Sequence, residues 1–505
     1  MKKCNTFYPC NFFKCLVLPL VLALLSACGG GGGDGGGGGD PTTTPVAPSV
    51  PQKVTTTAAD GQVTIKWDSV DGATSYNIYW NNTGSVSTSN AKITNVTSPY
   101  TPAGYTNDAM YYYTVTAVNS GGESPVSSEA AAISTLISNI TFADTNLQDC
   151  VDAIGATWSF EITDLDCRNK NISDISGIEN LTNLSTHLYL NQNNIDDLSH
   201  LSTLTNLVYL EIGENNILDI SALASLANIT YLYMELNSVS DISSLSTLTN
   251  LYYLWLENNS VSDVSSLASL PNFYILGVGG NNISNLAQFS QFQHLLFLSL
   301  DNSGLSDVSA LASAPIDMLN LNANNISDSS QFSAFTQIYQ LTLSSNNISD
   351  IGPLASATNI VELFLSNNNI TDLSQFSAFT RLVKLDLSRN GISDISALAS
   401  LTNLIELGLA GNNISDINAL GSFSNLTWLN LMTNNINDVS SLASLAKLET
   451  LNLSYNSITT GVASLVTLTK AATLNLSSNN NIPCADLTTL VTALGSAVTQ
   501  PASCI

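Results

Sequence analysis

Hydrophobic and polar residues follow a 22-residue pattern that repeats through residues 165–482. The unit is clearest at residues 404–426, which begin with the spacing Leu-x-x-Leu-x-Leu-x-x-Asn-x-Ile. One short Leu-x-Leu strand per unit cannot bury its apolar side alone, so neighbouring units must stack around a shared core. Counting a degenerate first copy near Leu165 and Cys167, the pattern predicts a solenoid of about 15 turns.

The asparagine of each unit marks the end of the predicted strand. An Asn that points inward can bond to backbone groups of adjacent turns, and leaving such groups unpaired costs about 1–3 kcal/mol each. We therefore interpret these residues as a structural ladder. Ser303 replaces one asparagine, and the step to the next position is 21 residues, so we expect a local irregularity there. The ladder positions are Asn193, Asn215, Asn237, Asn259, Asn281, Ser303, Asn324, Asn346, Asn368, Asn390, Asn412, Asn434, Asn456 and Asn479.

An aspartate follows most ladder positions by four residues, as Asp416 follows Asn412. Aspartate before Ile-Ser-x-Leu is a natural cap for a short helical turn. A calcium site, the other interpretation, needs six to eight oxygen ligands, and single carboxylates one turn apart do not supply them. The repeated carboxylates therefore predict helix caps, and the sequence predicts no metal site.

The residues Leu207, Leu210, Ile212, Asn215 and Ile217 reproduce the signature of leucine-rich repeats, and the chain resembles that family. Its Ile-x-Asp-Ile continuation and 22-residue length resemble the bacterial internalin-type subclass. The resemblance covers about residues 138–505. It implies an α/β-type solenoid with parallel strands on a concave face, short 3₁₀ turns on a convex face, and a role in protein recognition or adhesion.

The first residues are typical of a targeting segment. Lysines precede a short apolar run that ends in Leu-Ser-Ala-Cys28, so residues 1–27 are predicted to be a signal peptide. This ending resembles a bacterial lipobox, which implies lipidation of Cys28; a plain secretory signal is the alternative. The resemblance further implies that Gly29, where an Asp would indicate inner-membrane retention, favours the outer membrane if the cell is Gram-negative, so we expect an outer-membrane or cell-surface location. Residues 28–51, rich in Gly, Thr and Pro, are predicted to be a flexible linker.

Residues 52–135 alternate with period two between Gly, Asn and Asp turns, which predicts seven or so short antiparallel strands. The segments around Trp67, Tyr76 and Val115 resemble a fibronectin type III domain. That resemblance implies an all-β sandwich with these three residues in its core. Because no Arg-Gly-Asp motif is present, we expect this domain to be a spacer.

The two ends of the solenoid are expected to carry caps, at residues 136–164 and 483–505, because end turns otherwise expose the core. Four cysteines remain beyond Cys28, two near each cap. In an exported protein this placement predicts one disulfide at each end, Cys150 with Cys167 and Cys484 with Cys504. A zinc site of four cysteines is the alternative, but the two pairs lie at opposite ends of a long rod.

Charge and motif content exclude several functions. The net charge is -26, and three of the 13 basic residues leave with the signal peptide, so 10 oppose 39 acidic residues and the mature charge is -29. Such a surface repels nucleic acid and anionic lipid, so we expect membrane contact through the lipid anchor only. The sequence has no phosphate-loop, His-Glu-x-x-His or Gly-x-Ser-x-Gly motif, which predicts a non-enzymatic protein without a cofactor.

Candidate binding residues come from the strand positions that flank the leucines, since strand side chains alternate between faces. The early turns place aromatic and acidic residues there, whereas later turns offer small or polar ones, with Phe364 and Trp428 isolated. Parallel strands lie about 4.8 Å apart, so the cluster should extend over about 20–30 Å. We call it the concave patch: Tyr189, Tyr209, Glu211, Tyr231, Tyr233, Glu235, Tyr253, Trp255, Glu257, Phe297 and Asp301.

Tyrosine and tryptophan are frequent hot spots in interfaces, so the concave patch predicts a protein ligand, of the host or the envelope, with a basic surface. In the alternative interpretation these aromatics merely cover the leucines. The sequence thus predicts a monomeric, lipid-anchored protein for recognition or adhesion. Two other hypotheses are carbohydrate or cell-wall binding through the same tyrosines, and a purely structural spacer.

Overall fold

The computed structural model describes residues 45–505, and residues 47–505 form one compact unit. The predicted signal peptide, the lipidation site Cys28 and most of the linker lie outside the described residues. The compact unit consists of an N-terminal β region followed by a solenoid. Within the described residues, no helix is both long and apolar enough to cross a bilayer.

The β region contains seven strands in two antiparallel sheets. Strands β1 and β2 pair with each other, and the second sheet has the order β4-β3-β5-β6, with β7 also paired to β5. Trp67, Tyr76 and Val115 are buried in the core of this region, as the resemblance to a fibronectin type III domain implied. The strands are β1 (Thr55–Ala59), β2 (Gln62–Lys66), β3 (Ser75–Asn81), β4 (Ala91–Val96), β5 (Tyr111–Asn119), β6 (Gly122–Glu123) and β7 (Ala130–Ala132).

The solenoid is built on one parallel sheet of 16 strands that follow one another in chain order. In each three-residue strand the middle residue is a buried leucine, as when Leu210 lies between Leu188 and Leu232. The repeat length puts these leucines in register, so one core continues from Ile137 to Val498. The predicted solenoid of parallel strands is therefore confirmed.

The solenoid strands are short and evenly spaced. They are β8 (Leu165–Asp166), β9 (His187–Tyr189), β10 (Tyr209–Glu211), β11 (Tyr231–Tyr233), β12 (Tyr253–Trp255), β13 (Ile275–Gly277), β14 (Phe297–Ser299), β15 (Met318–Asn320), β16 (Gln340–Thr342), β17 (Glu362–Phe364), β18 (Lys384–Asp386), β19 (Glu406–Gly408), β20 (Trp428–Asn430), β21 (Thr450–Asn452), β22 (Thr473–Asn475) and β23 (Val498–Thr499). We call the side of this sheet that faces away from the leucine core the open face.

Short 3₁₀ helices return the chain between strands, as predicted. The carboxylate of Asp241 accepts the backbone N–H of Ser243 at 2.8 Å, and this capping bond recurs along the solenoid. Among residues 45–505, no group of three or more His, Cys, Asp or Glu is placed to hold a metal ion. The 3₁₀ helices are Ile137–Asn139, Ser159–Glu161, Ile178–Asn180, Ser199–Leu201, Ser221–Ser225, Ser243–Thr247, Ser265–Leu267, Leu286–Gln291, Ser309–Ser313, Ser330–Ala334, Gly352–Ser356, Ser374–Ala378, Ser396–Ser400, Asn418–Ser422, Ser440–Ser444, Val462–Thr467 and Gly495–Ala497.

The asparagine ladder joins adjacent turns through its side chains. Asn346 donates to the carbonyls of Leu321 and Leu343, both at 3.0 Å, and accepts the N–H of Ile326 at 3.0 Å. Ser303 makes fewer bonds, since its hydroxyl reaches only the carbonyl of Asp301 at 3.2 Å. The strands on either side nevertheless stay in register, and the predicted irregularity lies at this side chain and at Ala314, whose extended backbone (φ −83°, ψ 143°) ends the 3₁₀ helix of the shortened repeat.

Both ends of the solenoid carry a helix and a disulfide. Helix α1 (Thr145–Asp152) begins after Asp144, whose carboxylate accepts the N–H of Asn146 at 2.8 Å. Helix α2 (Cys484–Leu494) closes the other end. The predicted pairs are confirmed: Cys150 bonds to Cys167, and Cys484 bonds to Cys504.

The β region packs against one flank of the first solenoid turns. The amide of Asn206 accepts the N–H of Thr56 at 2.8 Å and donates to its carbonyl at 2.6 Å. Asn183 makes the same pair of bonds with Ala58, each at 2.9 Å. The sequence pattern did not predict this contact. The β region is therefore fixed to the solenoid and does not act as a freely moving spacer.

Candidate functional site

The concave patch lies on the open face of strands β9–β14 and on the residues that immediately follow them. Parallel pairing puts Tyr209, Tyr231 and Tyr253 in one row across the sheet. A second row joins Glu211, Tyr233 and Trp255 in the same way, because every repeat has the same length. The side chains that the sequence singled out thus lie side by side.

Within the patch the rings form one continuous series of contacts, which we call the aromatic ladder. Neighbouring ring centroids lie between 4.7 and 6.0 Å apart, a range typical of favourable aromatic pairs. The ladder runs through His187, Tyr189, Tyr209, Tyr233, Tyr253, Trp255 and Phe297.

The two ends of the aromatic ladder differ in exposure. Tyr253, Trp255 and Phe297 are only 3%, 6% and 1% exposed, so they form a packed floor. Tyr189 and Tyr209 keep part of their rings exposed, as does the adjacent Tyr231. A partner can therefore reach the tyrosine end directly. The Trp255 end mainly shapes and stiffens the surface.

Two glycines that sequence reasoning did not single out make this packing possible. A Cβ atom on Gly277 would lie 2.6 Å from ring carbons of Trp255, so the indole occupies the space over this residue. This allows Trp255 to stack on Phe297, two turns away. A Cβ atom on Gly279 would meet Asp301 Oδ1 at 2.1 Å. The sequence could have indicated this packing, because glycine occupies the last position of β13 and the position two residues after it.

A pair of carboxyl groups lies at the packed end of the patch. The hydroxyl of Ser299 lies 2.7 Å from Asp301 Oδ1 and 3.2 Å from Glu257 Oε1. Burial, followed by the charge of Asp301 and a hydrogen bond with it, raises the pKa of Glu257 to about 9. Glu257 therefore holds a proton at neutral pH.

A chain of buried polar groups continues from this carboxyl pair into later turns. The amide of Asn320 donates to Ser299 Oγ at 2.9 Å and accepts from the hydroxyl of Thr342 at 2.6 Å. All three residues are buried. Because buried polar groups that are satisfied in this way hold each other in place, the chain fixes the geometry of the carboxyl pair.

The exposed rim of the patch is acidic. Tyr209 donates its hydroxyl to Glu211 at 2.6 Å, and both Glu211 and Glu235 remain partly exposed. Residues 171–380 contain 18 acidic residues and no Lys or Arg. Just before this stretch, Arg168 lies 4.6 Å from the ring centre of Tyr189 and pairs with the carboxylate of Asp166 at 2.5 Å. The tyrosine end of the patch therefore presents negative charge.

The isolated aromatics of later turns stay separate from the patch. Trp428 is 38% exposed on β20. Lys384 on β18 lies between Glu362 on β17, at 3.4 Å, and Glu406 on β19, at 3.7 Å. This part of the open face thus has paired charges and a single exposed ring, unlike the continuous aromatic ladder.

Comparisons with known proteins give the same class of fold. The family model for leucine-rich repeats (two copies) matches residues 227–269 and 358–400. The chain is 20% identical to a leucine-rich repeat protein of Leptospira interrogans, over 69% of this chain and 98% of that one, with a TM-score of 0.54. It is also 30% identical to an internalin of Listeria monocytogenes, over 73% of this chain and 98% of that one, with a TM-score of 0.46.

A tail tube protein of Bacillus phage SPP1 is 44% identical over 80 residues, which are 16% of this chain. The chain spans only 28% of the length of that curated relative. The repeat, its parallel sheet and the family match together define a leucine-rich repeat protein. It is similar in sequence to the internalin of Listeria monocytogenes.

Proposed function

We propose that this chain is a non-enzymatic recognition protein of the cell surface, and that it binds a protein ligand through the concave patch. One observation carries the proposal: the contiguous aromatic ladder with an accessible tyrosine end and an acidic rim. Tyrosine supplies a large contact area at low entropic cost and is frequent among interface hot spots. The negative rim favours a partner with basic residues.

We further propose an internalin-type protein with a fibronectin type III-like β region, anchored by a lipid on Cys28. The Leu-Ser-Ala-Cys28 segment and the 22-residue repeat support this assignment. A lipid on Cys28 and the glycine-rich linker would hold the compact unit away from the outer membrane. The solenoid is proposed to act as a monomer without a cofactor.

The proposal is tested by capture of host and envelope proteins on the immobilised full chain, followed by affinity measurements with each purified partner. The test variant combines Tyr209→Ala and Tyr231→Ala, because these rings are partly exposed. We expect the variant to bind its partner at least about tenfold more weakly, as hot-spot truncations cost about 2 kcal/mol or more. Raised salt should slow association.

A matched control is Trp428→Ala, which removes an exposed ring from the same face outside the patch. Both variants must retain the thermal stability of the wild type. If Trp428→Ala reduces binding and the tyrosine variant does not, the site lies in the later turns. Equal binding by all three proteins would reject recognition through the open face.

Carbohydrate or cell-wall binding is the second candidate. The buried Glu257 carboxyl and the partly exposed Asp301 carboxyl, with Ser299 between them, supply paired polar groups of the kind that sugar sites use. Capture of glycans alone, lost in the Tyr209 and Tyr231 variant, would favour this candidate over a protein ligand.

A further inference from the structure

Five consecutive turns carry an asparagine at the same position of the solenoid flank, shortly before the strand, and we call them the flank asparagines. The first three hold β1 of the β region. Two of them exchange N–H and carbonyl bonds with that strand, and the third donates to the carbonyl of Val54 at 2.9 Å. The side-chain amides of Asn183 and Asn206 thus supply the donor and the acceptor that the backbone of a neighbouring β-strand would supply. The flank asparagines are Asn183, Asn206, Asn228, Asn250 and Asn272.

The last two flank asparagines have the same bond to the preceding turn, but no strand of residues 45–505 lies against them. Asn250 donates to the carbonyl of Ala227 at 2.9 Å, as Asn228 does to Thr205 at 2.8 Å. Asn272 donates to Thr249 at 3.3 Å. The Asn250 amide oxygen makes no hydrogen bond within residues 45–505, and Asn272 is exposed. The amide oxygens, which accept from β1 at Asn183 and Asn206, therefore accept no hydrogen bond from residues 45–505 at Asn250 and Asn272.

A groove of about 350 Å³ leads to Asn250 along the junction of the β region and the solenoid. Its volume is at the lower end of the range for ligand sites. Small side chains line much of it, which lets a polypeptide backbone approach closely. Its two charged side chains already have partners: Lys53 pairs with Asp68 at 3.2 Å, and Glu129 accepts the N–H of Val86 at 2.6 Å. The small lining residues include Ser127, Ser128, Ser202, Ala224, Ser225 and Ala227.

We propose that this groove, with Asn250 and Asn272, binds an extended, uncharged segment of a partner protein. The segment lies in line with β1 and forms strand-like backbone hydrogen bonds to the two amides. Continuity with the established contact of β1 supports this occupant, since the same side-chain group at the same repeat position already holds a strand. Small and β-branched side chains suit the groove. This site is independent of the concave patch.

The probe is a synthetic peptide of residues 52–59, the segment that contains β1, with a photoreactive benzophenone at its amino end. It is irradiated with the full chain, and cross-linked peptides are mapped by mass spectrometry. We expect labelling next to Asn250 and Asn272, and about tenfold less labelling in the Asn250→Ala, Asn272→Ala variant. A probe with proline in place of Thr56 lacks the required N–H and should label no better than background.

Asn403→Ala is the matched control, because it removes a flank residue of the same Leu-Thr-Asn-Leu sequence far from the groove. It should leave labelling unchanged. Ala224→Phe fills the groove and keeps the amides of Asn250 and Asn272, and it should also reduce labelling. This variant replaces the double variant in the test if the double variant is unstable. Any one of three results would overturn the proposal. The proline probe could label as strongly as the original probe, or the double variant could be labelled as fully as the wild type. Labelling could also be confined to the turns of Asn183 and Asn206.

Discussion

Glutamates on the open face differ in their surroundings, although they occupy equivalent repeat positions. Glu235 and Glu257 both follow an aromatic strand by two residues, but Glu235 is partly exposed, whereas Glu257 is buried beside the carboxyl group of Asp301. The difference arises two turns away, where Asp301 extends over Gly279 toward it. A side chain's protonation is therefore set by neighbours that lie 44 positions away in the chain.

At the residue scale we predict that Glu257→Gln stabilises the protein relative to the wild type, and that this gain grows as pH rises. The pKa of Glu257 is raised from 4.5 to about 9, so the folded state keeps a proton that the unfolded state releases between these values. Unfolding free energy therefore falls across that interval, by at most about 1.4 kcal/mol per pH unit. The glutamine keeps the shape and cannot ionise. Its gain in melting temperature should be small at pH 5 and larger at pH 8.

Glu214→Gln is the control for this prediction, since its exposed side chain leaves only a bond from Gln192 to lose. It should change the melting temperature little at either pH. If Glu257→Gln raised the melting temperature equally at pH 5 and pH 8, Glu257 would not hold a proton in the folded state.

Each solenoid strand from β9 to β22 has only three residues, so its open face is defined by two outward side chains per turn. Where both are large, as on β12, they need space over a neighbouring strand. Strand β13 supplies that space because it ends in Gly277. The packing of one element thus depends on a missing side chain in the next.

At the element scale we predict that Gly277→Ala destabilises the protein by about 1–3 kcal/mol. The new Cβ atom would lie 2.6 Å from the Trp255 ring, so the indole must move and lose its stack on Phe297. Thermal unfolding and the near-ultraviolet circular dichroism of tryptophan measure both effects. Gly421→Ala, whose nearest neighbours would lie at 3.5 and 3.7 Å, should be tolerated. If the near-ultraviolet circular dichroism spectrum of Gly277→Ala were unchanged, the aromatic ladder would not hold Trp255 in a fixed position.

The β region and the early solenoid turns form one body at the level of the whole molecule. The contact uses side chains of the solenoid and the backbone of β1, with Thr56 and Asn206 both buried. These same turns carry the tyrosine end of the concave patch. The β region therefore supports the part of the solenoid that is proposed to bind a partner.

At the scale of the whole molecule we predict that Asn206→Ala loosens the β region. The change leaves the buried N–H and carbonyl of Thr56 without a partner, at a cost of about 1–3 kcal/mol for each group. Hydrogen exchange of Thr56 and Ala58 should accelerate, while the later solenoid turns keep their protection. Asn403→Ala, which removes one exposed bond to Thr380, should leave β1 unchanged. Unaltered exchange in β1 would show that other contacts hold it.

The order of residues by itself determined the solenoid, its register, the capping aspartates and the disulfide pairs. These features repeat or act locally: a leucine every 22 residues admits one stacked core, and Asp241 caps a helix that begins two residues later. The sequence also placed the aromatic rows together, because equal repeat lengths fix which strand residues become neighbours.

Tertiary structure alone decided which of those residues remain accessible and which become protonated. Trp255 is buried because Gly277 makes room for it, and Glu257 holds a proton because Asp301 approaches it in a dry environment. The same applies to β1, whose docking on Asn206 joins residues 150 positions apart. Burial and charge depend on distances between side chains of different turns, and a repeating pattern specifies neighbours without specifying how their side chains share the space between them.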